Sequence, residues 1–176
     1  MEQFKKQERL RPYFDGAYGY AFFPCIGKGG MGIGGAGGKG TVFINNHDGT
    51  ETKVGESTVI QLSFGFQFGG QVYSEIIFLE TQKDFENFTS GNFEFGADVN
   101  VVALTASASA RASTLGNQEL TAGIDADDIS VGNEDSSYTK GMAVYTITRG
   151  GLMYQATISG QKFNYRPVAA AVADEW

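Results

Sequence analysis

A chain of 176 residues with 41% hydrophobic and 13% aromatic residues can bury a core without a metal or disulfide, and its lone cysteine, Cys25, excludes an internal disulfide. This composition excludes intrinsic disorder, and no apolar run nears the ~20 residues of a membrane-spanning helix. The charge of −7 is uneven: up to Gly40 six basic residues (Lys5, Lys6, Arg9, Arg11, Lys28, Lys39) face three acidic ones, a net of +3, leaving −10 for the remainder.

A basic end on an acidic body can dock on anionic lipid while the body is repelled, and nucleic acid is not an expected partner. The N-terminal MEQFKKQERLRPYF lacks the apolar centre of a signal peptide and reads as a short helical segment, residues 1–15. On a helical wheel Phe4 and Leu10 fall about 120° apart, with Arg11 between them and Lys5, Lys6 and Arg9 opposite, a small apolar face. Pro12 disfavours helix at Arg11, so Tyr13 and Phe14 are expected to leave the helix direction.

GKGGMGIGGAGGKG, residues 27–40, contains nine glycines in fourteen positions and satisfies G-x-G-x-x-G three times. A dinucleotide site needs a helix next, whereas TVFIN are strand formers; a Walker A reading fails at Ile33 and Gly40. The stretch reads as a glycine-rich strand and turn over which aromatic strands close. VFINNHDGTETKV is a hairpin with its tip at Asn46 to Gly49, which makes the only histidine, His47, a turn residue.

In VIQLSFGFQF, Leu62, Phe64, Phe66 and Phe68 alternate with polar residues or glycine, the pattern of a half-buried strand. Gly69-Gly70 predicts a tight turn before a second strand, VYSEIIFLE. TQKDFENFTSGN predicts a short helix: Thr81 and Asp84 form a capping box, Phe85 and Phe88 share a face, and Gly91 ends it. VNVVALTASASARAS alternates small apolar and polar residues, as in a tightly curved sheet. Residues 116–137 are acidic and read as an exposed loop, in which Ile129 breaks the EF-hand calcium pattern. In GMAVYTITRGGLMYQATISGQKFNYRP, turn signals at Gly150-Gly151 and Ser159-Gly160 separate three runs of a meander.

Catalytic and metal chemistry find little support. One histidine and one cysteine make no zinc cluster, and spacing alone does not make a dyad of Ser74-Glu75 and Glu94. No enzyme activity, cofactor or metal site is expected.

The succession GYAFFPCIGKGGMGIGGAGGKGTVF, GFQFGGQVYSEIIFL, FTSGNFEFGADVNVVALTASASA and GMAVYTITRGGLMYQATISGQKFNYRP closely resembles the SYLF domain of the YSC84-like family, especially its bacterial members, from about Tyr18 to Pro167. The resemblance implies lipid binding: eukaryotic members bind phosphoinositides through a basic amphipathic N-terminal helix, and fungal members also bind and bundle actin. Bacterial members often carry a leader, which implies a periplasmic or outer-membrane location where one has been removed, and a cytoplasmic one otherwise. Here the helical region before GYAFFP is about a dozen residues, shorter than the family's, and the acidic insertion is longer. The positions mapping onto the family's lipid-contacting end are Lys5, Lys6, Arg9, Arg11, Lys28 and Lys39.

The fold expected is mainly β: an antiparallel, curved barrel-like or sandwich-like sheet with a short N-terminal helix and one or two others. It forms one domain over 1–176, with a core of about 18–167 and a tail of 168–176. The function expected is a non-enzymatic module binding anionic phospholipid or a membrane surface in the cell envelope. Alternatives are a structural or protein-interaction module and a carrier with an apolar cavity lined by Phe64, Phe66, Phe68 and Met153.

Overall fold

Two strands longer than the molecule is wide set the architecture. In the computed structural model, which describes residues 1–46, 48–91, 93–95, 101–104, 138–151 and 160–168, β1 runs Gly19–Asn45 and β2 runs Glu51–Leu79. Fully extended, each would reach about 90 Å. A domain of this size is only about 40 Å across. The β1–β2 ribbon therefore has to bend, and the antiparallel register is irregular between Met31 and Ile33, opposite Phe64 to Phe68.

Past the bend, the two halves of β1 approach each other. A Cβ on Gly40 would lie 2.6 Å from the Phe23 ring and 2.7 Å from the Phe22 carbonyl oxygen, and one on Gly38 would lie 2.6 Å from that of Cys25. The Asn45 N–H closes the approach by donating to the Tyr18 carbonyl at 3.0 Å. The glycine stretch is thus strand throughout. Its missing side chains admit backbone, as well as the aromatic rings expected from the sequence.

The far edge of β2 is shared. β6 (Gln161–Pro167) pairs with its first half, residues 55–61, and β5 (Met142–Gly151) with its second, residues 71–79. β3 (Phe93–Phe95) extends the sheet beyond β6, and β4 (Val101–Leu104) extends it beyond β5. The result is mainly β, a curled half-barrel with short helices. Among the described strands, one pair departs from the antiparallel pattern: β4 runs parallel to β5.

One glycine pair expected to punctuate the chain does not: Gly69-Gly70 lies inside β2, facing Gly30 and Gly29. Pairing with β1 along the ribbon overrides the local preference of Gly69-Gly70 for turning. Gly150-Gly151 ends β5 as described, opposite Val72 and Gln71 and beside a bulge. The hairpin tip matches the expectation, with Asn45 opposite Glu51 and Gly49 at φ +79°. The middle run of the C-terminal meander, most of VNVVALTASASARAS and the acidic stretch 116–137 lie outside the described residues.

The second half of β2 is buried on both faces. Tyr73, Ile77 and Leu79 join one cluster with Phe23, Val59, Phe85, Phe88 and Phe163; Ile76 and Phe78 join another with Phe4, Leu10, Tyr13, Tyr20 and Tyr145. That two-sided burial explains why VYSEIIFLE does not alternate. The first cluster lies between the folded halves of the ribbon and beneath α3 (Gln82–Thr89), which carries the expected Thr81–Asp84 capping box. The second lies beneath the N-terminal segment.

That segment comprises α1 (Glu2–Lys5), a 3-10 turn (Glu8–Leu10) and α2 (Arg11–Gly16). Pro12 sits in the first turn of α2, where its missing N–H costs nothing, so it starts a helix that includes Tyr13 and Phe14 instead of ending one. Asn45 Nδ2 donates to the carbonyls of Phe14 (3.0 Å) and Ala17 (2.8 Å), satisfying acceptors at the end of α2.

Candidate functional site

The apolar residues of the N-terminal segment point into the domain. Phe4 is 1% exposed and Leu10 fully buried, while Lys5, Lys6, Arg9 and Arg11 are all exposed. Burying each large apolar side chain contributes about 1.5–3 kcal/mol, which anchors the segment and presents its cations outward.

Lys5 Nζ forms an ion pair with Glu51 Oε1 at 2.9 Å and lies 5.7 Å from the centre of the Phe14 ring. Lys5, Lys6 and Arg11 line a cleft of about 810 Å³ between this segment and the β1–β2 hairpin. Glu8, Asp15, Glu51 and Glu80 line it too, so its charge is mixed, with one more acidic residue than basic. Arg9 does not line the cleft and lies close enough to Tyr145 to oppose the rise that burial imposes on that phenol.

The remaining two cations do not line this cleft. Lys39 is exposed on β1, and with Lys53, the stronger influence, it holds the Glu56 carboxyl below its usual value. Lys28 is only 5% exposed, and burial lowers its pKa. Its placement follows from a bulge between Phe23 and Ile26: both of those side chains face the interior, Pro24 and Cys25 are both exposed, and the alternation resumes so that Lys28 turns inward. Lys28 is thereby removed from the surface, although the resemblance maps it onto the lipid-contacting end.

A second polar grouping, undetected from sequence, lies inside the fold. Glu75 is fully buried, and Gln161 Nε2 donates to its Oε2 at 3.0 Å across the interior. Tyr73, Gln61 and Thr146 are buried on the same side, with the Tyr73 hydroxyl 3.5 Å from Gln61 Oε1. Burial pushes the Glu75 carboxyl up to about 7, opposed by the Gln161 hydrogen bond. A carboxylate within VYSEIIFLE was a signal of this kind, but its partner lies 86 residues away.

These groups do not form a catalytic dyad. Ser74 Oγ donates to the Pro24 carbonyl at 2.7 Å, and Glu94 pairs with Lys162 at 2.9 Å, so neither is joined to Glu75. Among the described residues no cluster of three metal-ligating side chains occurs. His47, Met153 and the side chains of Phe64, Phe66 and Phe68 lie outside the description.

A family profile described as Ysc84, Las17-binding protein actin regulator, matches residues 60–171, from the middle of β2 past the end of β6. The chain belongs to the Ysc84 family. This agrees with the SYLF resemblance carried by its glycine and aromatic motifs. Among relatives of this Ysc84-family chain, Beta cell expansion factor A of Aeromonas veronii is 30% identical over 167 residues, 91% of this chain and 50% of the relative. The chain thus spans half the length of that relative. No solved structure matches it significantly.

Proposed function

We propose that this chain is a non-enzymatic module of the cell envelope that binds anionic phospholipid surfaces through the exposed cations of its N-terminal segment. The observation that carries the reading is the division of that segment, with Phe4 and Leu10 buried in the domain while Lys5, Lys6, Arg9 and Arg11 are exposed. Attachment of this kind is electrostatic and peripheral, because the apolar face is already engaged. Each basic residue near an anionic leaflet contributes about 1 kcal/mol, and salt screens it.

Co-sedimentation with phosphatidylserine- or phosphoinositide-containing vesicles tests the proposal against neutral vesicles. Binding at low salt that fades at high salt, and that Lys6→Glu with Arg9→Glu abolishes, is the expected result. Absence of binding to anionic vesicles at low salt refutes it.

A second reading is a protein-interaction module, favoured by the family's description as a Las17-binding protein. On that reading the same double variant would lose a protein partner in a pull-down, and vesicle binding would be absent in the parent chain.

A further inference from the structure

We propose that the Glu75 carboxyl carries its proton in the folded domain and pairs reciprocally with the Gln161 amide, a latch that holds β6 against the opposite half of the ribbon until the carboxyl ionises. One hydrogen bond joins the two groups, Gln161 Nε2 to Glu75 Oε2 at 3.0 Å. The two atoms it leaves, Glu75 Oε1 and Gln161 Oε1, are both buried and both without a hydrogen-bond partner.

Two acceptors cannot satisfy each other while the carboxyl is ionised. A single proton on Glu75 Oε1 turns that oxygen into a donor to Gln161 Oε1 and completes a ring of two hydrogen bonds, one in each direction. Without it, both buried acceptors stay unsatisfied, and each unsatisfied group is costly.

The surroundings favour the neutral form. In register, Glu75 lies opposite Phe23 on β1 and Thr146 on β5, and Tyr73 precedes it by two residues on the same side of β2. From β6 and the first half of β2 it meets Gln161 and, through Tyr73, Gln61. Lys28 is a described cation facing this interior, but its strand partner is Gln71, four residues from Glu75. The titratable groups facing Glu75 on the described elements are thus Tyr73 and, farther off, Lys28.

The latch joins two parts of the fold that β2 connects only along its length. Gln161 pairs in register with Gln61 and Phe95, whereas Glu75 belongs to the half that pairs with β5. Beside it, Phe23 and Phe163 make the corresponding apolar contact, with centroids 5.5 Å apart. Ionisation sends the proton to solvent, leaves Gln161 Oε1 without a donor, and loosens β6 first.

Infrared spectroscopy of the parent chain in heavy water, between about pH 5 and 9, reads the proton directly, because ordinary carboxyls are ionised throughout most of that range. A protonated-carboxyl band that persists to near neutrality and then titrates away is expected. Hydrogen exchange at residues 161–167, corrected for intrinsic rates, should rise from about pH 5 to about 7 and then level off, by at most about 300-fold in all, the factor set by the displacement of the carboxyl from its ordinary value. Glu75→Gln, which keeps a reciprocal amide pair, should exchange slowly at every pH. Absence of the band at pH about 6, or an unchanged exchange profile in folded Glu75→Gln, overturns the proposal. If Glu75→Gln does not fold, the infrared titration alone decides.

Discussion

Phe4 of α1 meets Phe22 of β1 edge-on, with ring centroids 5.9 Å apart and planes at 79°. This contact helps dock the basic N-terminal segment, together with buried Leu10 and Tyr13. Phe4→Ala removes a ring at 1% exposure, and large-to-small changes of this type cost about 3–5 kcal/mol. Urea unfolding should show a loss in that range, with earlier proteolysis near residues 1–16. An unchanged midpoint would mean that the segment is not docked in solution.

Gly40→Ala tests the folded-back ribbon. The added Cβ would meet the Phe23 ring and the Phe22 carbonyl, and overpacking of this kind costs about 1–3 kcal/mol or more. Gly27→Ala is the control, since a Cβ there meets nothing within 4 Å and should be neutral or slightly stabilising. Equal effects at both sites would contradict the close approach.

Lys28 and Lys39 bracket the glycine stretch but should respond differently to reversal. Lys28→Glu places a carboxylate at a position 5% exposed and should lower the thermal midpoint markedly. Lys39→Glu, on the exposed face, should stay within about 0.5 kcal/mol of the parent. Calorimetry on the two variants distinguishes them, and matching midpoints would refute the inward placement of Lys28.

Glu75 also makes a global prediction. Its folded pKa, about 7, lies above the ordinary 4.5, so the native state keeps a proton that the unfolded chain has lost. This group's stabilising contribution is complete below about pH 4.5 and falls as pH rises to about 7, by at most about 3 kcal/mol, then levels off. Urea midpoints compared with those of Glu75→Gln isolate this component from the exposed carboxylates, and parallel profiles would remove it.

Thr81→Ala should cost about 1 kcal/mol, because it removes the acceptor for the Asp84 N–H and half of the capping box on α3. Circular dichroism-monitored melting measures it; an effect near zero would mean that Phe85 and Phe88 alone hold the helix.

The sequence was most legible where the cause is local. α3, its cap and the hairpin before Glu51 each depend on a few adjacent residues, and each was found in place. Gly69-Gly70 misled because the same dipeptide suits a turn and a strand interior, and only the facing Gly29-Gly30 decides between them. Pro12 misled similarly: the proline that ends one helix can begin another. The exposed cations of the N-terminal segment were legible, but the burial of Phe4 and Leu10 beneath them required the sheet.

Taken alone, the sequence determined a mainly β chain of the Ysc84 family, with a basic end and without a recognisable catalytic cluster. Its periodicity, turn residues and motif order are properties of neighbours along the chain. Only the tertiary structure decided that β1 folds back on itself, that a bulge turns Lys28 inward, and that Glu75 meets Gln161. Each depends on which distant segments share an interior, and a strand too long for its domain can be accommodated only once its bend and its partners are set together.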